Sequence, residues 1–387
     1  VCGEDSHIRT LNFSIHCLKK FSKNQILVVT DKTRNTKEIE HDNIIDIPTQ
    51  KDFSSHQASI FLKTSLHKIV EPGNFYCYLD SDVIALNKDV DKIFSFKSGQ
   101  VTFASDHTTI DRFSPYATNC WCLDKHKQLQ NLLEKHNPFA QTANISNPST
   151  RKLFCFLDEI KKTRFSRLLF DLRFHSNKII RKKFHAGNGF YYVFKTKTWE
   201  DKENHVLLHD MINYKDKIEA ESNFRFTSSG QKWIDENNNI INDFKCNHLI
   251  RSIKEKFGIK IEDKTWLHWN GGVFIFDNDS HEFMESWHNK TMSIFNDPLW
   301  KVRDQGTLAA TAWEFGLQNN QRIPEEFNFI ADYYNPFISF NNSKGFTKDN
   351  FKTVINPKFI HIYHNFGNKK WDIWQGVESI HKLSEVK

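Results

Sequence analysis

The apolar positions of the first quarter of the chain switch between two periods. Ile8, Leu11, Ile15, Leu18 and Phe21 recur at helical spacing, and Gln25 to Thr30 follow as a buried strand closed by Asp31. Asn43 to Ile47 is another short apolar run, and Ala58, Phe61, Leu62, Ser65, Leu66 and Ile69 mark a helix that Pro72-Gly73 terminates. Phe75 to Leu86 comes next, an apolar and aromatic run broken by two carboxylates one residue apart, Asp80 and Asp82. This strand-helix alternation predicts an α/β fold with a doubly wound, mainly parallel sheet and helices on both faces. Val101 to Ala104 and Asn119 to Leu123 read as further strands, the second leading into a helix from about Asp124 to His136 and a loop at Asn137-Pro138. Trp266 to Phe276 is a strand opened by a polar, Gly-rich turn. Helices are expected over His281 to Phe295 and from Arg303 through Trp313, and a strand over Phe359 to Tyr363.

The section from about Asn144 to Asp263 has a different character. Arg151 to Lys183 holds eleven Lys or Arg against three Asp or Glu, a net of +8, whereas the whole chain is +6, so the remainder is about −2. Leu153, Leu157 and Ile160, then Phe165, Leu168, Leu169 and Leu172, keep helical spacing, which predicts one or two basic amphipathic helices. Such helices lie on anionic membrane surfaces, or pack on a core with their Lys and Arg solvated. No groove-reading motif accompanies the charge, so nucleic acid is not an expected partner. The expected division is therefore 1–143 and 264–387 as two parts of one α/β domain, with 144–263 as a basic, largely helical insertion.

Composition changes this picture little. The 387 residues exceed one small domain, and 35 Phe with 10 Trp suit either a Phe-rich core or aromatic surfaces that stack on sugars. Cys2, Cys17, Cys77, Cys120, Cys122, Cys155 and Cys246 form an odd set without zinc-type spacing, and read as reduced core thiols; Cys120-Trp121-Cys122 has one intervening residue where a redox or zinc pair has two. Neither a membrane-span-length apolar run nor a signal-peptide pattern is present, so a cytoplasmic protein is expected, peripheral on the inner face of a membrane if segment 151–183 binds lipid. Val1-Cys2-Gly3 resembles the end of a strand, so residues are expected to precede it.

The chemistry starts at Asp80-Ser81-Asp82. Two carboxylates at the tip of a core strand can converge on one hard cation, or can simply cap a turn. Asn270-Gly271-Gly272 opens the later strand, where glycines let a ligand approach the backbone. Asp304-Gln305 opens a helix, and His364-Asn365-Phe366-Gly367-Asn368-Lys369-Lys370-Trp371 follows the last strand.

Taken in order, these four segments resemble glycosyltransferases of the GT-A fold, most closely family 8, over roughly residues 1–107 and 265–372. The resemblance implies a Rossmann-like domain that takes a nucleotide-sugar donor, UDP-linked in most members, with Mn²⁺ or Mg²⁺. It assigns Asp80, Asp82 and His364 as metal ligands, and Gly367 and Lys370 to the diphosphate. Lys63 stands where the family has an Arg that reaches donor phosphate or sugar, and Asp5 is a candidate for the base. Asn270, Gly271, Gly272 and Asp304 would surround the sugar, with Gln305 beside the reacting carbon. A hexose would pass to a saccharide or glycolipid acceptor, with configuration retained. Three features depart from the family. No Pro separates Lys370 from Trp371, the middle section is longer, and Asn119-Cys120 and Asn188 to Tyr192 echo the Asn-plus-strand pattern. Asn270 is preferred because only it leads through one helix into Asp304-Gln305. Two other classes compete: Leu79-Asp80-Ser81-Asp82 also resembles the nucleophile motif of haloacid-dehalogenase phosphatases, with Asp80 attacking phosphorus, and an inactive carbohydrate-binding protein could occupy the same scaffold.

Overall fold

The computed structural model describes the chain apart from residues 137–147, 162, 210–214, 228–231, 239, 242–244, 334, 336, 350–351 and 386–387. Helix α1 (Asp5–Phe21) buries Ile8 and Ile15, members of the stripe that the 3.6 period marks, and also Cys17 on another face. Strand β1 (Val28–Thr30) pairs in parallel with β2 (Ile44–Asp46). Helix α2 (Ser55–Thr64) opens on a capping box between Ser54 and Gln57, and α3 (Leu66–Ile69) extends it. The chain continues through β3 (Tyr76–Leu79), the Asp80-Ser81-Asp82 turn, β4 (Val83–Ala85), β5 (Thr102–Thr109), α4 (Ile110–Ala117) and α5 (Trp121–His136). The strand expected at Asn119 to Leu123 is not formed: Thr118 makes a single bridge to Trp300 and α5 starts at Trp121. A five-residue apolar run does not by itself distinguish strand from helix. Asn137-Pro138 and the expected 143/144 boundary lie outside the described residues.

Helices α6 (Pro148–Lys161) and α7 (Arg164–Ile180) bear out the expected helical pair. Among the described residues, the rest of the insertion mixes six short strands with two further helices, strands that the expectation of a largely helical segment did not include. Strands β6 (Lys183–Gly187), β7 (Phe190–Val193), β8 (Thr198–Glu200) and β9 (Val206–His209) make a four-stranded antiparallel sheet. Phe184, Tyr192 and Trp199 on its inner face pack with Leu153, Phe170 and Phe174 of the helices. The reason is local: Phe184, Ala186, Phe190 and Tyr192 are buried at period two, and Asn188-Gly189 between them take positive φ of 52° and 78°, the hairpin conformation. Helix α8 (Lys215–Glu221) and the hairpin β10 (Arg225–Thr227) with β11 (Lys232–Ile234) gather around Trp233 and Leu129 of α5.

Helix α9 (His248–Phe257) ends at Gly258 in the left-handed region, φ 71°. Strand β12 (Leu267–Phe276), α10 (His281–Ser293) and α11 (Arg303–Glu314) follow, then β13 (Phe329–Ile330), β14 (Ser339–Asn341), β15 (Gly345–Lys348), β16 (Thr353–Ile355), β17 (Phe359–His361) and α12 (Asp372–Glu385). Phe103, Trp269, Phe274 and Trp287 stack or meet edge to face in the main core, so many of the aromatic residues are packing material.

The class is mixed α/β, but among the described residues the sheets are small and mostly antiparallel, not one mainly parallel sheet. Among the described strands, parallel pairing is confined to β1 with β2 and β13 with β17. Strand β12 returns after the insertion, buried along nearly its whole length, and runs antiparallel to both β3 and β5. Its apolar run specifies burial, whereas its direction depends on where a distant segment re-enters the core. A second sheet, β13-β17-β4, lies alongside. No described helix is long and apolar enough to cross a membrane.

Candidate functional site

The Asp80-Ser81-Asp82 turn is the point where the chain leaves one three-stranded sheet and enters the next. Strand β3 belongs with β12 and β5, and β4 belongs with β17 and β13. At the seam, Asp80 N–H donates to Gly272 O at 2.8 Å, and Ile362 N–H donates to Asp82 O at 3.0 Å. Two backbone bonds thus hold the two acids between β12 and the end of β17. Opposite β5, β12 shifts register between Asn270 and Phe274, a bulge at the glycine pair. Bulges of this kind re-aim side chains.

The imidazole that the fold brings to the acids is His361, whereas the resemblance to family 8 implies His364. Asp80, Asp82 and His361 each offer a ligand atom, all within 4.8 Å of one another, and His361 Nε2 is 3.3 Å from Asp82 Oδ1. His361 Nδ1 meets Asn328 Oδ1 at 3.1 Å, which orients the ring. His364 lies three residues on, exposed, its ring 4.3 Å from that of Tyr363, and is not in the group. Burial disfavours charge on His361, but the Asp82 carboxylate outweighs it and raises the imidazole pKa above its ordinary value. Burial likewise opposes ionisation of Asp82, and His361 reverses this and lowers its pKa.

Gly272 explains the space between these groups. A Cβ there would stand 2.5 Å from His361 Cε1, 2.8 Å from Asp80 Oδ2 and 2.9 Å from Asn270 Oδ1. Two carboxylates and an imidazole around such a cradle are a donor set for a hexacoordinate ion of the Mn²⁺ or Mg²⁺ type, with room left for phosphate oxygens or water.

The other motif residues reach the same place. Lys63, buried on α2, donates to Asp304 Oδ2 at 3.0 Å and lies 3.4 Å from Asp80 Oδ1. Burial works against its charge, but the Asp80 and Asp304 carboxylates more than offset that and raise its pKa. Tyr78 donates to Asp80 Oδ1 at 2.5 Å. Asp304 and Gln305 stand in the first turn of α11, and Gln305 Oε1 accepts from Gly271 N–H at 2.9 Å. Asn270 Oδ1 accepts from Gly272 N–H at 2.9 Å.

No family model, curated protein or solved structure matches the chain. Function is therefore read from the residues themselves.

One site residue escaped the sequence reading. Asp106, past the apolar part of β5, accepts from Asn270 Nδ2 at 3.0 Å and from the His107 and Thr108 N–H groups at 2.8 and 3.2 Å. Burial pushes its carboxyl up, but His268, His107 and Asn270 hold it well below the usual carboxylate range. The signal was present: Ser105-Asp106 follows the apolar run Val101 to Ala104 much as Asp80 follows Phe75 to Leu79. Asp5 and Gly367 line a separate recess of about 550 Å³ with Arg9 and Phe366. Asp5 also forms ion pairs with Arg9 and Lys37. Lys370 is exposed, and its N–H donates to Asn368 Oδ1 at 3.1 Å.

Proposed function

We propose that this chain is a metal-dependent glycosyltransferase that moves a hexose from a nucleotide-sugar, a UDP-sugar by its resemblance to family 8, to a saccharide or lipid-linked saccharide, with retention, on a GT-A scaffold. One observation carries this reading. Three motifs far apart in sequence, together with Lys63, supply side chains to one seam, and the third ligand of the acid pair stands just before the fourth motif. Asp80, Asp82 and His361 would hold a divalent ion, which would supply positive charge to a departing diphosphate. Lys63 pairs with the Asp80 and Asp304 carboxylates, holding both in place and favouring the ionised form of Asp304. Asn270, Asp304 and Asp106 carry hydrogen-bonding groups suited to sugar hydroxyls. Gln305, its amide oxygen anchored at Gly271, presents the negative end of a dipole where positive charge would develop on a sugar carbon.

Ligand linkage tests the reading. A ligand that binds only the folded state stabilises it by about 2.7 kcal/mol at a hundredfold excess over Kd. UDP with Mn²⁺ is expected to raise the melting temperature, EDTA to remove most of the rise, and Asp80→Asn or Asp82→Asn to abolish its metal-dependent part. The same preparations should hydrolyse a UDP-hexose slowly and leave aryl phosphates intact. If no nucleotide shifts the protein with any divalent ion, the transferase reading fails.

The acceptor side has its own support. On α7, Phe165, Leu168, Leu169, Leu172 and Ile179 are exposed, Ile179 by 88%. Exposed Arg164, Arg167, Arg173 and Lys178 lie among them. Phe170 and Phe174 of the same helix pack inward on the insertion's sheet. A helix that leaves aliphatic residues and cations in water on its outer side fits an anionic lipid surface, the place where a lipid-linked acceptor would be met.

A further inference from the structure

The cysteines that looked like unrelated core thiols come together with a histidine. Cys120, Cys122, Cys246 and His248 each offer one ligand atom, and these atoms lie within 4.8 Å of one another. Cys120 Sγ is 3.9 Å from Cys246 Sγ, and Cys122 Sγ is 3.7 Å from His248 Nδ1. A tetrahedral zinc ion with Zn–S of about 2.3 Å and Zn–N of about 2.0–2.1 Å sets neighbouring donor atoms about 3.5–3.8 Å apart. These two separations match that shape to within a few tenths of an ångström, and the other donor pairs lie within 4.8 Å. A disulfide would need about 2.0 Å between two sulfurs and would leave the other thiol and the imidazole unexplained.

The surroundings are built for the cluster. Cys122 lies in the first turn of α5 and His248 begins α9, so each pair of ligands enters at a helix start, where backbone N–H groups favour thiolate. Ser114 of α4 accepts from Leu249 N–H at 2.9 Å, which leaves its own proton to donate to Cys246 Sγ, 3.1 Å away. Cys246 N–H donates to Asp111 O at 3.0 Å. One helix, α4, thus positions the second ligand pair through hydrogen bonds outside the ligand set.

We infer that Cys120, Cys122, Cys246 and His248 bind one Zn²⁺ as a closed, structural Cys₃His site, distinct from the seam of Asp80, Asp82 and His361. Soft thiolates select zinc, whereas the oxygen-rich seam suits a harder ion. Four protein ligands leave no open position for substrate. The two ligand pairs are 126 residues apart in sequence and bracket residues 123–245, which include most of the insertion. The ion would therefore clamp the neck through which the insertion leaves and rejoins the core, and closing so long a loop is where a metal clip stabilises most.

The test uses the full chain purified without chelator or added metal. Elemental analysis should find one zinc per chain, with p-hydroxymercuribenzoate releasing it to a metallochromic dye as the thiols react. The Cys122→Ser/Cys246→Ser variant should lose zinc by about tenfold or more. The Asp80→Asn/Asp82→Asn variant should keep it, which separates this site from the proposed transferase centre. Because loss of two ligands could unfold the Cys variant, the wild type is also reconstituted with Co²⁺, where a thiolate-to-cobalt charge-transfer band with tetrahedral d–d absorption is expected. Zinc-free wild-type protein without that band on Co²⁺ addition, zinc retained in the Cys variant, or a Cys120–Cys246 disulfide in freshly isolated protein would each overturn the assignment.

Discussion

Gly272→Ala is the sharpest probe of the seam, because its effect can be worked from three distances. The added methyl would stand 2.5 Å from His361 Cε1, 2.8 Å from Asp80 Oδ2 and 2.9 Å from Asn270 Oδ1. Carbon contacts prefer about 3.5–4.0 Å, so the nearest neighbour must retreat by about 1 Å. None of the three is free to do so alone. His361 is held at Asn328 and Asp82, Asp80 at Tyr78 and Lys63, and Asn270 at Asp106. Overpacking of this kind costs about 1–3 kcal/mol. For a chain this long, with an unfolding entropy of about 2 cal/mol/K per residue, that is only about 1–4 °C of melting temperature. The larger effect falls on the ligand set, since displacing Asp80 and His361 separates two of three donors, and Mn²⁺ affinity should fall about 10–100-fold. Calorimetric titration of Mn²⁺ in the presence of UDP reads this directly. Gly271→Ala is the paired control: its Cβ would meet Gln305 Oε1 at 3.1 Å and Lys63 Nζ at 3.4 Å, so it should spare Mn²⁺ binding and slow turnover. Wild-type Mn²⁺ affinity and melting temperature in Gly272→Ala would show that the two acids and His361 do not converge around this glycine.

Further outcomes follow from the same geometry. His361→Ala should remove the metal-dependent response to UDP while His364→Ala leaves it largely intact, and the reverse result in the same thermal assay would return the ligand role to His364. Lys63→Met strands Asp304 without its cation and should destabilise by about 3–5 kcal/mol in chemical denaturation, with Lys63→Met/Asp304→Asn recovering part of the loss. His288 is buried beside Thr64 Oγ, 2.8 Å away, and burial with the nearby Lys68 and His67 pushes its pKa down to about 4. Its unfolded value is near 6.5, so its contribution is full above that pH and is lost as pH falls toward 4, on the order of 3 kcal/mol. His288→Gln should flatten the stability profile in that window. Anionic vesicles should retain the protein at low salt and release it as salt rises, because each surface cation contributes about 1 kcal/mol that screening removes. Equal sedimentation with neutral and anionic vesicles would remove the membrane surface from the proposal.

Much of the site is legible in short stretches of sequence. Asp80-Ser81-Asp82 ends an apolar strand, Gly271-Gly272 interrupts one, and Asp304-Gln305 starts a helix, and each signal is carried within a few residues, as are the amphipathic stripes of α1, α6 and α7. What the sequence did not determine depends on pairings between distant segments. Sheet direction follows from how β12 re-enters between β3 and β5, not from its own apolar run. The choice of His361 over His364 turns on which of two residues three apart ends strand β17 beside Asp82, and the family pattern pointed past that strand end. Asp106 becomes a site residue only because β5 lies against Asn270 on β12. The four zinc ligands are the clearest case. Cys120-Trp121-Cys122 and Cys246-Asn247-His248 are weak signals separately, and only the packing of α5 and α9 around α4 brings their sulfur and nitrogen atoms within reach of one ion. Short-range sequence sets backbone conformation and which face is buried, whereas long-range contacts decide which side chains meet.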